Sequence, residues 1–316
     1  MRRREFVAGF VGAVAWPREM AAQPAERIYR LGVLSPGVSS YETLRGQLAK
    51  LGFIEGRNLV VDVRVGAPDE LPRMARDLVA TKPDVVMAVS AALAAMKEAS
   101  STLPIVAFGP DPVAQGFAQS LSHPGGNVTG VVILAAELDS KRLQLLAEAA
   151  PGRRIAVLLH PATRSYRDSQ REVSAAASQL NVAPTFIEAS GPDAYPGAFA
   201  AMRAAGTAAL VISANPWFYR DRDILARLAR ESGIATACEW GDMAASGCLI
   251  GYGPRRVDLY QRVAELIGRV FRGTPPSELP IEQPANFELV INVRTAKEPG
   301  LGIPLSMLGR ADEVIE

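Results

Sequence analysis

Residues 108–131 read FGPDPVAQGFAQSLSHPGGNVTGV. An apolar run ends at Phe108, a proline-flanked aspartate follows, then a helix-like stretch, Pro124-Gly125-Gly126 and a second apolar run. That order is the punctuation of a β-strand, a crossover and the next parallel strand. Outward from it the same grammar recurs. Apolar, β-branched runs at 29–34, 59–65, 84–89, 105–108 and 128–133 predict strands. Stretches rich in alanine and leucine at 41–51, 71–81, 91–101 and 113–121, closed by Gly52, Pro83, Pro104 and Pro124, predict the helices between them. The plan then restarts, with strands expected at 155–159, 185–189, 209–213, 235–238 and 248–252 and helices at 169–180, 198–205 and 221–231.

Strands that alternate with helices imply parallel sheets covered on both faces, because parallel neighbours need long right-handed crossovers. The expected fold is therefore α/β, with two doubly wound parallel-sheet lobes side by side. Residues 139–150, DSKRLQLLAEAA, bridge the lobes, and the helical stretch 257–272 lies beyond the second unit's last strand and returns the chain to the first. Discontinuous lobes crossed by several segments make a hinge.

Length and charge agree with this. A chain of 316 residues with 48% hydrophobic content is ample for two cores. Its formal charge of +1 supplies no field that would draw nucleic acid or a membrane surface. The expected partner is a small neutral or zwitterionic molecule. Arg2, Arg3 and Arg4 before the apolar stretch Phe6 to Trp16, with small Ala21 and Ala22 after it, read as an export signal over residues 1–27. Cleavage is expected near Gln23. Arg3-Arg4-Glu5-Phe6 fits a twin-arginine signal, and the general secretory route stays open. No cysteine follows the apolar run to carry a lipid, and no later segment is apolar enough to span a bilayer. A soluble periplasmic protein is expected.

Cys238 and Cys248 are either two buried thiols or a disulfide of an oxidising compartment. His123 and His160 are the only histidines and lack cysteine company, so neither a metal nor another cofactor is expected.

In open α/β sheets ligands gather outside the carboxyl ends of the strands. Ser35, Ser90 and Asp111 fall at such ends in the first unit, and His160, Asn215, Glu239 and Tyr252 in the second. With Tyr41, Tyr166 and Trp217 they form the candidate ligand-binding set; no catalytic residue is expected. Asp111 is a cap of the helix expected after Pro112, or a cap that also faces ligand. Ser90 divides the same way. Trp217-Phe218-Tyr219 either packs on the following helix or forms a stacking wall, and Tyr166 either closes over a cleft or faces solvent. An enzyme finds little support: Gly251-Tyr252-Gly253-Pro254 lacks the third glycine of a dinucleotide loop, and no nucleophile elbow, Walker loop or close Ser-His-Asp order is present. A DNA-binding sensor would need a helix-turn-helix before Tyr29, where the export signal stands.

Several blocks carry a resemblance: LRGQLAKLGFIEGRNLVVDVR, DPVAQGFAQSLSHPGGNVTGV, KRLQLLAEAAP, GYGP and the closing FELVINVRTAKEPGLGIPLSMLGRADEVIE. Together they resemble the periplasmic substrate-binding proteins of ABC importers, in the family that includes tryptophan and phenylalanine binders. The resemblance implies a periplasmic-binding-protein fold of type I, with three crossings between lobes. The lobes are expected at 28–136 plus 254–282 and at 137–253 plus 283–316. It implies capture of an amino acid or related small carboxylate by a monomer and delivery to an ABC permease in the inner membrane. Ser35, Ser90 and backbone N–H groups would hold the carboxylate, and Asp111 or Glu239 the ammonium. An exported sensor for a signalling partner is the alternative. The chain departs from the family where Pro110 replaces a frequent glycine, where His160-Pro161-Ala162 replaces Asn-Pro-Asn, and where Asn215-Pro216-Trp217-Phe218 lacks the carboxylate of an Asp-Pro-Phe-Phe-like loop. Glu239-Trp240 could restore that carboxylate.

Overall fold

The computed structural model describes residues 27–37, 41–109, 111–162, 166–297 and 300–316. The export signal expected over residues 1–27 lies outside these, Arg27 excepted. The chain begins with β1 (Tyr29–Pro36), α1 (Tyr41–Lys50), β2 (Leu59–Gly66), α2 (Leu71–Ala80), β3 (Val85–Val89), α3 (Ala92–Ala99), β4 (Ile105–Gly109) and β5 (Val128–Val132). These strands form an all-parallel sheet in the order β2-β1-β3-β4-β5.

Period-two alternation decides which helix covers which face. Leu31, Val33, Val85, Met87, Val106 and Phe108 join the apolar cluster that holds Leu44 and Leu48 of α1. Their neighbours Leu34, Val86, Ala88, Ile105 and Ala107 join the other, with Leu78 of α2 and Leu93 of α3. β1, β3, β4 and β5 are buried on both faces, which is why they read as continuous apolar runs, whereas β2 at the edge alternates and is partly exposed. At Gly130 in β5 an added Cβ would lie 2.1 Å from the Ala107 carbonyl oxygen, so only glycine permits this approach to β4.

The second lobe follows with α4 (Ala135–Ala149), β6 (Ile155–Leu159), α5 (Tyr166–Gln179), β7 (Thr185–Glu188), α6 (Tyr195–Ala204), β8 (Ala209–Ile212), α7 (Pro216–Arg220), α8 (Arg222–Glu231), β9 (Ala235–Cys238), α9 (Gly241–Ala245) and β10 (Ile250–Pro254). Then α10 (Arg256–Phe271) returns to the first lobe, where it packs on α1 and on β3 to β5. A 3-10 turn at Pro276–Glu278 and the segment through Glu282 run along β5, with Glu282 N–H donating to the Gly130 carbonyl. The chain crosses back into β11 (Phe287–Asn292), α11 (Val293–Lys297), α12 (Leu305–Leu308) and β12 (Glu313–Ile315). The second sheet runs β12-β11-β10-β9-β8-β6-β7, and β11 is antiparallel to β10 while the other pairs are parallel.

Two expectations change. Residues 113–121 form turns instead of a helix. Asp111 does cap Val113 and Ala114, but Gly116 enters positive φ (+74°), and the N–H groups of Phe117 and Ala118 both turn back to the Pro112 carbonyl. The helical ladder therefore stops after one turn. Cys238 and Cys248 are joined as a disulfide, with Cα atoms 6.5 Å apart, which removes the free-thiol reading.

Candidate ligand-binding site

A cavity of about 510 Å³ lies between the lobes, where the carboxyl ends of both sets of strands converge. The first lobe contributes the ends of β3 and β4, through Ser90, Phe108 and Asp111; the second contributes those of β8 and β9, through Asn215, Trp217, Glu239 and Trp240. Helix α10 adds Arg256 and Tyr260. A larger groove, about 920 Å³, runs past Arg153, Arg154 and Asn181 at the opposite ends of the second lobe's strands. Parallel sheets offer helix N-termini and loops at their carboxyl ends, and the groove has none of that geometry. The inter-lobe cavity is the candidate site.

Its acidic wall is built on a buried ion pair. Arg142 of α4 is fully buried and donates to Asp139 Oδ1 at 2.6 Å, to the Tyr252 carbonyl at 2.8 Å and to the Glu239 carbonyl at 3.4 Å. The guanidinium thereby ties α4 to the ends of β9 and β10. Glycines complete the joint: a Cβ on Gly251 would meet the Trp240 carbonyl oxygen at 2.4 Å, and one on Gly253 the Glu239 carbonyl oxygen at 2.2 Å. The GYGP motif is thus a packing requirement for the residues that line the cavity.

Glu239 itself is buried and accepts the Asn215 backbone N–H on Oε2 at 3.1 Å. Burial pushes its pKa up to about 7, with Asp139 adding to the rise and Arg142, the Asn215 N–H and Arg256 opposing it. Asp139 is also raised by burial, against the pull of Arg142. The buried guanidinium pairs with Asp139 and acts on the Glu239 carboxylate only through its field, so the cluster favours either a retained proton or a cation from outside.

The aromatic wall is equally braced. Asn215 caps α7 by accepting the N–H groups of Trp217 at 2.8 Å and Phe218 at 3.3 Å, and so sets where the Trp217 ring goes. Next to it, Arg256 lies over the rings of Tyr219, Trp240 and Tyr260, its carbon centre 4.4, 5.8 and 5.9 Å from their centroids. It also bonds the Tyr219 hydroxyl and pairs with Asp242. Since Arg256 opens a first-lobe helix and Tyr219 and Asp242 belong to the second lobe, this cluster spans the lobes beside the cavity.

On the facing side, Ser90 adopts the left-handed conformation (φ +49°) while its N–H donates to the Phe108 carbonyl at 3.0 Å. A non-glycine residue there is uncommon, and it turns the chain sharply from β3 into α3 at the cavity edge. Asp111 receives the Val113 and Ala114 N–H groups on Oδ1 at 2.8 and 3.1 Å. Near the mouth the lobes touch: a Cβ on Gly37 (φ +93°) would lie 3.2 Å from the Pro216 carbonyl oxygen.

The structure therefore brings Ser90, Asp111, Asn215, Trp217 and Glu239 together around one cavity. It places the other expected site residues elsewhere. Ser35 is buried within β1. Tyr41 donates its hydroxyl to Glu55 at 2.8 Å, and Tyr166 donates to Glu188. His160 stands behind Trp217, and Tyr252 stacks on Phe287 at 6.2 Å with its carbonyl taken by Arg142. Lining residues outside the expected set include Phe108, Glu137, Asp168, Trp240, Arg256 and Tyr260. The glycines of GYGP were the available signal for Trp240.

The model of the family described as ABC transporter substrate binding protein matches residues 38–315. The chain belongs to this family. Among curated proteins, this substrate-binding protein is similar to a tyrosine-binding protein of Clostridioides difficile (strain R20291), 25% identical over 268 residues, which are 78% of this chain and 72% of that one. Among solved structures it resembles an ABC domain in complex with L-Trp from Streptococcus pneumonia, with TM-score 0.81, 21% identity and coverage of 91% of this chain and 100% of that one. It also resembles the ligand-free, open structure of a substrate-binding protein with adhesive properties from Clostridium difficile, with TM-score 0.62, 19% identity and coverage of 91% and 99%. These structures share the two-lobe α/β fold.

Proposed function

We propose that this substrate-binding protein captures an amino acid between its lobes, residues 28–136 with 254–282 and residues 137–253 with 283–316, and delivers it to an ABC permease. The observation that carries the reading is the pairing, in one inter-lobe cavity, of Asp111 and Glu239 with an aromatic wall of Trp217, Tyr219, Trp240 and Tyr260. Such a site accommodates an ammonium at the acids and an apolar or aromatic side chain against the rings. For the carboxylate, Ser90 and the first N–H groups of α3 take the role assigned from sequence to Ser35 and Ser90 together. The alternation of β3, Ser90 and α3 puts them at the cavity edge.

Capture follows the usual logic of a hinged protein: ligand bound on one lobe is sealed by contacts from the other, which stabilise the closed form. The Gly37–Pro216 approach and the Arg256–Asp242 pair connect the two lobes beside the cavity. Export to the periplasm through the N-terminal signal, by the twin-arginine or the general route, places the protein where such delivery happens. The family's substrate-binding character supports binding without turnover.

Mass spectrometry of ligand released on denaturation, followed by thermal shifts of stripped protein, tests the assignment. A saturating ligand at about a hundredfold excess over its Kd adds about 2.7 kcal/mol to apparent stability. Aromatic amino acids are expected to give the largest shifts, and their methyl esters much smaller ones. Shifts from non-carboxylate compounds alone would overturn the amino-acid assignment, and turnover of the stabilising compound would overturn the reading as a binding protein.

A further inference from the structure

Of the sheet edges among the described residues, β2 is the one left long and open. The edge at β5 is covered by the segment through Glu282, β7 has four residues and β12 has three. By contrast β2 runs eight residues, LVVDVRVG, without lysine or proline. Edges of that length are normally blocked, because their unpaired N–H and C=O groups template another strand. Apolar side chains gather here too. Val60, Val63 and Val65 are exposed on β2, with exposed Ile54 in the turn before it and Ile28 beside the strand pair at Tyr29 and Leu59.

The charges on this strand are self-complementary. Asp62 and Arg64 share a face and pair with each other at 2.8 Å, so the edge carries no net repulsion. In an antiparallel pairing of two β2 strands about a two-fold axis at Val63, Asp62 of each copy lies opposite Arg64 of the other, and Val61 opposite Val65. Moving the axis to Asp62 sets Asp62 against Asp62, and moving it to Arg64 sets Arg64 against Arg64. Side chains alternate faces, so an axis between two residues would oppose mismatched faces. Opposite charges and β-branched pairs directly across strands are favourable, and like charges unfavourable. One register therefore satisfies both the valines and the ions.

We propose that two copies of this chain join edge to edge through β2, with the axis at Val63, into one continuous sheet, in place of the monomer expected from the sequence. No residue of β2 lines the cavity, so ligand capture is retained in the pair.

Sedimentation of the full chain, with variants, decides it. The wild-type protein is expected at twice the monomer mass at concentrations on the order of tens of micromolar. Asp62→Arg and Arg64→Asp should each raise the dimer dissociation constant about tenfold or more, and the double swap should return it to near the wild-type value. Val63→Cys should form a disulfide-linked dimer on mild oxidation, because the axis brings the two positions to a directly opposed pair about 4.5–5.5 Å apart at Cα, whereas Val60→Cys should not. A protein that stays monomeric to about 100 μM, including one whose edge is taken only by a different protein, overturns the pairing. So does a dimer that Val63→Cys fails to trap and that ignores both charge changes.

Discussion

Trp217 lies flat on His160, with ring centroids 4.3 Å apart and planes 17° from parallel. The imidazole is locked on both sides: Nδ1 accepts the Ala162 N–H and Nε2 meets the Ser190 carbonyl, each at 3.2 Å. Those partners require the neutral ring with its proton on Nε2.

From this relationship His160→Ala is expected to lower stability by about 2 kcal/mol, through the lost ring and its two hydrogen bonds. It should also weaken ligand binding, although His160 does not line the cavity, because Trp217 loses its backing. Denaturant unfolding and a red-shifted Trp emission check this. Burial holds the His160 pKa below its ordinary range. The folded state therefore binds fewer protons than the unfolded chain, and this stabilisation is present above about pH 6.5 and lost as pH falls below it.

Glu239 has the opposite sign. Its folded pKa of about 7 exceeds its unfolded value, so the folded state holds the extra proton and stability declines as pH rises from about 4.5 to 7. Glu239→Gln keeps an oxygen for the Asn215 N–H and should remove that decline, with a gain of up to about 3 kcal/mol at pH 8. Unfolding measured across this pH range tests the slope. Binding of an ammonium ligand near pH 7 should release a proton, seen as a calorimetric enthalpy that varies with the buffer, and Glu239→Gln should abolish that dependence.

Asp111 separates charge from capping. Asp111→Asn leaves an oxygen to receive the Val113 and Ala114 N–H groups, so stability should hold while affinity for an ammonium ligand falls by about 2–5 kcal/mol. Asp111→Ala should lose the same affinity and about 1 kcal/mol of stability besides. Titration calorimetry beside denaturant unfolding distinguishes the two, and unchanged affinity in both variants would remove Asp111 from the site.

The disulfide closes a short ring around Glu239 to Gly247, which carries Glu239, Trp240 and Asp242. Cys238→Ala with Cys248→Ala should cost about 3 kcal/mol by the loop-entropy estimate and lower Tm by several degrees. Affinity should fall as well, since the freed segment includes two cavity residues and the partner of Arg256. Differential scanning calorimetry and ligand titration measure the two effects.

Much of this was legible because buried parallel strands announce themselves. Ile155–Leu159 and Ala235–Cys238 fall where their apolar runs predict, and strand ends then nominate Ser90, Asp111, Asn215 and Glu239. Local chemistry hid other parts. Gly116 broke the helix after Asp111, α7 and α9 are too short to show a helical period, and β11 joins the sheet antiparallel without a helix to announce it. Arg256 and Tyr260 escaped for a different reason: they sit on a helix whose sequence shows only its core face, and tertiary packing alone brings its first turns to the cavity.

The return of α10 has a further consequence, for the order in which the chain can fold. The first lobe's face formed by Leu31, Val33, Met87, Val106 and Phe108 is closed partly by α10, whose Tyr260 ring lies tilted against Phe108 with centroids 4.9 Å apart. Those strands leave the ribosome long before residues 256–271, so the nascent first lobe stays an unfinished sheet with an uncovered apolar strip until five of the second sheet's seven strands have been made. Truncation anywhere before Phe271 should therefore yield a chaperone-dependent or aggregating fragment instead of a stable half, and the two lobes should melt as one transition although a cleft divides them.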